Sequence, residues 1–140
     1  MNKRKLYKRF LKLGVRIDNL LFTDIGINTV EKAVQNLVAV IKSDDEINSK
    51  NVNVIEFVER FYKIEQILLY NLQASRKIIR SSEFKDCNLI VRLEEKHKSN
   101  QLASVYNAMC DFNVEFFNTY GISLGKIKND IESEELEIQK

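Results

Sequence analysis

Seven Lys and Arg side chains (Lys3, Arg4, Lys5, Lys8, Arg9, Lys12, Arg16) fall within the first sixteen residues, with no acid among them. Clustered cations can contact phosphate oxygens, an anionic membrane surface or an acidic partner, because local fields decide what a surface attracts. The formal net charge of +2 hides this layout. Five acids (Asp130, Glu132, Glu134, Glu135, Glu137) crowd the last eleven residues and nearly cancel it. Lys5, Lys8, Arg9, Lys12 and Arg16 form the candidate contact face, and Tyr7 and Phe10 beside them offer rings for stacking. The acidic tail is also able to fold back over this face and neutralise it.

Two polar residues interrupt otherwise apolar stripes. Glu65 falls among Phe61, Tyr62, Leu68 and Leu72, and Asn113 among Tyr106, Met109, Phe116 and Phe117. A buried carboxylate must be paired, hydrogen-bonded or protonated. For Glu65 the expectation is pairing with an Arg, a Lys or Asn113; an oligomer contact or a small-molecule pocket are the other readings. A single glutamate with no partner His or second acid gives no catalytic constellation. Cys87 and Cys110 have no CxxC spacing, and they read as reduced, buried thiols of a cytosolic protein.

His97 is the only histidine, which excludes a multi-histidine metal site. It follows Arg92 by five positions in the string RLEEKH. That spacing resembles the Rx4–6H element of HEPN-type ribonucleases, which are helical bundles of about this size acting as dimers. The resemblance implies that Arg92 and His97 work on an RNA phosphate. No glycine-rich phosphate loop and no ExxH carboxylate motif accompany it, so neither a cofactor nor a metal is expected.

These residues have to be positioned by helices. Hydrophobic residues make up 44% of the 140 and charged residues 30%, which is enough apolar surface for one globular core. There is no proline, so the main breaker of long helices is missing. Leu6, Phe10, Leu13, Ile17 and Leu20 recur at four-three-four-three spacing and occupy an arc of about 80°, predicting an amphipathic helix over 5–23. The basic residues lie on a separate arc. The spacing predicts a turn at Gly26 and a second helix capped by Asn28 with Glu31 closing a capping box. It carries Val30, Val34, Leu37 and Ile41. Residues 43–51 are polar and aperiodic, so they read as a loop.

A third helix of about 40 Å is expected over 54–80, capped by Asn53 with Glu56 and stapled by Val52 and Phe57. Ser81-Ser82 reads as a turn. A short helix carrying Leu89, Ile90 and Leu93 follows. The next stripe (Leu102, Val105, Tyr106, Met109, Phe116, Tyr120) is rotated from it by about 140°, predicting a break near Lys98 to Asn100. Gly121 reads as a helix end, with Ile122 against Phe117.

The sequence therefore predicts an all-α bundle of five or six helices with a long central helix. Residues 1–121 are read as the bundle domain and 122–140 as an acidic amphipathic tail helix. With no signal-peptide apolar core and no membrane-spanning run, the chain reads as cytoplasmic. Its Lys, Asn and Ile content suits a virus, a phage or an AT-rich bacterium. The expected function is binding, not catalysis: an adaptor, assembly subunit or regulator of a larger protein or nucleoprotein complex, with a protein partner or self-association. A nucleic-acid-binding protein using the basic face on phosphates is the alternative, and a HEPN-like ribonuclease through Arg92 and His97 is a third reading.

Overall fold

The computed structural model describes residues 2–21, 24–43 and 45–139, with the side chains of 21–27 and 139 left undescribed. Five α-helices follow one another: α1 (Lys3–Leu21), α2 (Asp24–Lys42), α3 (Val52–Arg80), α4 (Leu89–Tyr120) and α5 (Leu124–Gln139). A 3-10 turn over Ser82–Asp86 joins α3 to α4. No strand occurs among the described residues. The first four helices form a closed ring of neighbours, α1 on α2, α2 on α3, α3 on α4 and α4 on α1. This is an up-down-up-down bundle, and α5 packs against α3 and α4. Among the described residues, no helix is long and apolar enough to cross a membrane.

The stripe read on the first helix faces the core: Leu6, Phe10, Leu13 and Ile17 are all buried. Phe10 meets Phe57 of α3 edge-on at 5.3 Å between ring centroids and Phe112 of α4 at 4.9 Å. Phe61 and Phe116 complete this aromatic centre. Each such ring pair adds roughly 0.5–1.5 kcal/mol beyond the area it buries. Gly14 lets α1 and α2 approach closely, since a Cβ there would lie 2.7 Å from Val30 Cγ1. Leu124 and Ile127 of α5 are fully buried in the same core, whereas Leu136 and Ile138 near its end are exposed.

Several local readings need correction. α2 starts at Asp24, so Gly26 and Asn28 lie within the helix and not at its boundary. The cap of α3 is Asn51, whose Oδ1 accepts from the backbone N–H of Asn53 and of Val54. Glu56 does not close a box; its carboxylate accepts from Asn36 of α2 and lies 3.4 Å from Arg60. Tertiary partners outcompete the local cap. The predicted break near Lys98 to Asn100 is absent, because α4 runs unbroken for 32 residues. The end of that helix is as read: Gly121 adopts φ 73° and its N–H donates to the Phe117 carbonyl.

The unbroken α4 follows from a mismatch of lengths. α1 and α2 have 19 residues each, whereas α3 has 29 and α4 has 32. The longer pair exceeds the shorter by about 15 to 20 Å at 1.5 Å per residue. Leu20, near the end of α1, shares a cleft with Asn71, His97 and Gln101. Beyond that level α3 and α4 continue as a two-helix hairpin, so the early apolar residues of α4 have no core to face. A helix that need not bury both stripes need not break between them.

Candidate interaction surfaces

The five residues of the predicted basic face are exposed along α1, but they do not act alike. The Arg9 guanidinium pairs with the Glu115 carboxylate of α4 at 2.9 Å. Arg16 donates to the Ser104 hydroxyl, also on α4, at 2.9 Å. Both point along the seam between the helices. Lys5, Lys8 and Lys12 have no carboxylate within ion-pair distance among the described residues. Lys3 places its ammonium 5.6 Å from the centre of the Tyr120 ring. The acidic tail lies elsewhere: Glu134 accepts from the Ser49 hydroxyl in the α2–α3 loop, and Asp130 pairs with Lys126 one turn earlier on α5.

Glu65 of α3 and Asn113 of α4 both lie beside Tyr62, on the side where α5 packs against these helices. Both are half-buried, short of the full burial the stripes suggested. Asn113 is hydrogen-bonded to the Tyr62 hydroxyl, and the Lys128 ammonium lies 4.5 Å from the centre of the Tyr62 ring. Burial pushes the Glu65 carboxyl above its ordinary range, and the Lys128 charge partly offsets that. Lys128 of α5 thus eases the charge of Glu65 from a distance, and no ion pair joins the two among the described residues. Cys110 lies on the same side of α4; burial and then the Glu65 charge raise its thiol. Both cysteines are free, but they are exposed and not buried as read from the sequence. Cys87 follows the 3-10 turn and lines a groove there.

Arg92 and His97 are on one continuous helix, and five positions turn their side chains about 140° apart. His97 is exposed and lines a cleft of about 600 Å³ beside Leu20, Glu94 and Lys98. Arg92 is outside that cleft and half-buried, with its Nε lacking a hydrogen-bond partner among the described residues.

The surface that the sequence reading did not single out is the projecting end of the α3–α4 hairpin. Tyr70, Ile78, Leu89, Ile90, Val91 and Leu93 are each between 50% and 73% exposed. Leu89, Ile90 and Leu93 fall within an arc of about 100°. Tyr70 and Ile78, with Phe84 of the 3-10 turn, line a groove of about 720 Å³ on α3. The hairpin holds few buried residues of its own: Leu72, Ser75, Phe84 and Ser99. The Ser75 hydroxyl donates to Glu95 at 2.7 Å and ties the two helices together. The signal was present in the sequence as a stripe rotated out of register. Periodicity alone reads it as a helix break, not as a second face. No protein-family model, curated protein or solved structure matches this chain.

Proposed function

We propose that this protein is a non-catalytic assembly subunit that works by protein–protein contact, and that its contact surface is the projecting end of the α3–α4 hairpin. The observation that carries the reading is the exposed arc of Leu89, Ile90 and Leu93 on the first two turns of α4. Single exposed apolar residues are ordinary on any protein surface. A contiguous group on an element that outruns its supporting helices is the pattern of an interaction site. The test is a photo-crosslinking residue placed at Leu93, with one at the exposed Lys32 of α2 as control. Discrete adducts from position 93 and not from position 32 support the reading. No adduct at position 93 contradicts it.

A second reading rests on Lys5, Lys8 and Lys12, which are exposed and lack ion-pair partners among the described residues. In that reading α1 lies along a phosphate backbone. Affinity then falls steeply with salt, and replacing two of these lysines lowers the salt slope by about two units.

A further inference from the structure

We infer that the outward face of α1 docks on the surface of an anionic lipid bilayer. This face is separate from the hairpin end, so the crosslinking result at position 93 does not bear on it.

The first ground is the direction in which the residues of α1 point. Gly14 faces α2, where an added Cβ would meet Val30, and Arg9 and Arg16 reach Glu115 and Ser104 of α4. Leu6, Phe10, Leu13 and Ile17 are buried between these two sides. At 100° per residue the remaining outward arc is about 100° wide. It carries Leu11, Arg4, Val15, Lys8, Asn19 and Lys12 in that angular order, all of them exposed. Lys5 stands at its rim. None of these four cations has a carboxylate within ion-pair distance among the described residues. Asp18 is the single acid of α1; it is half-buried on the α2 side, where it senses the charge of Glu31.

The second ground is what lies between the cations. Leu11 is 42% exposed and Val15 is 55% exposed. A bilayer surface takes both kinds of side chain: anionic headgroups attract the cations, and the boundary between headgroups and acyl chains shelters aliphatic groups. A phosphate backbone gives Leu11 and Val15 nothing to bury against. Neither ring that the sequence offers for base stacking is on this face. Phe10 is wholly buried, and Tyr7 is half-buried toward α2. The face is the convex outside of one helix, and a bilayer conforms to it without a matching recess.

The experiment is co-sedimentation of the full chain, at low ionic strength, with vesicles of phosphatidylcholine alone and of phosphatidylcholine mixed with phosphatidylserine. A parallel titration uses duplex DNA. Each cation brought to an anionic surface is worth about fivefold in affinity. The four cations should therefore favour the mixed vesicles by on the order of 500-fold over neutral ones. The double variant Lys8→Gln/Lys12→Gln should lose about 25-fold of that, with its helix content by circular dichroism unchanged. The chain has no Trp, so Val15→Trp puts a fluorescent reporter on the face. Its emission should shift to the blue on the mixed vesicles. Failure to bind the mixed vesicles overturns the inference, as does equal binding to neutral ones. Binding that the double variant leaves intact, or V15W emission that does not move, overturns it too. Binding to duplex DNA without binding to vesicles overturns it and assigns the face to a phosphate backbone.

Discussion

The Arg9 guanidinium lies 2.9 Å from the Glu115 carboxylate and ties the first half of α1 to the last part of α4. This contact divides the basic face. Arg9 and Arg16 are turned to intramolecular partners, whereas Lys5, Lys8 and Lys12 stay in solvent. Arg9 is half-exposed, so the pair is screened and contributes less than about 1 kcal/mol. Arg9→Ala should therefore lower stability by no more than that in urea unfolding. Replacing Lys5 or Lys12 by Gln should change it by less than about 0.5 kcal/mol. A large loss at either lysine would show that the face is built into the fold.

The aromatic centre is where stability concentrates. Phe57 touches Phe10, Phe61, Phe112 and Phe116 within 6.2 Å between centroids. Phe57→Ala should cost about 3–5 kcal/mol in chemical denaturation, since it removes the ring and leaves a cavity. A cost below about 1 kcal/mol would mean that the ring is not enclosed as described.

Gly14 gives a sharper test of the α1–α2 contact. An added Cβ would lie 2.7 Å from Val30 Cγ1, a short, stiff side chain. Gly14→Ala gains up to about 1 kcal/mol of helix propensity but must push the helices apart. The net effect should be a loss of about 1–2 kcal/mol from overpacking. The double change with Val30→Ala should recover part of it, and a stabilised Gly14→Ala variant would contradict the close approach.

These elements were legible in the sequence to different degrees, for physical reasons. The α1 stripe was readable because Leu6, Phe10, Leu13 and Ile17 all face one core. The long α3 and the Gly121 end were readable because local chemistry decides them. The α3 cap lies two residues before the position the sequence suggests, because Asn51 and Asn53 are both competent caps and Glu56 is engaged by Asn36 and Arg60. The hairpin surface was missed because periodicity reports a preferred face without saying whether anything covers it. The length mismatch that uncovers Leu89, Ile90 and Leu93 exists only once four helices are assembled.

Two partly buried carboxyls, Glu65 beside α5 and Asp18 on α1, predict a pH dependence. The carboxyls of Glu65 and Asp18 are both held above the ordinary range, chiefly by burial. The folded chain therefore binds these protons more tightly than the unfolded chain. The stabilisation they give is complete below the unfolded pKa and is lost as pH rises through the raised folded values. Glu65→Gln should remove part of that dependence and raise the melting temperature at neutral pH. A lower melting temperature at neutral pH would mean that the attraction to Lys128 outweighs the cost of burying the charge.

The central claim is that this chain makes its contacts through the apolar hairpin end. Light scattering after size exclusion, at low and at high salt with the 260/280 nm absorbance ratio recorded across the peak, tests it most directly. The account predicts a nucleic-acid-free peak above monomer mass that persists at high salt, because burial of apolar surface is not screened. Excess mass that carries nucleic-acid absorbance and vanishes at high salt would contradict it and assign the contact to Lys5, Lys8 and Lys12.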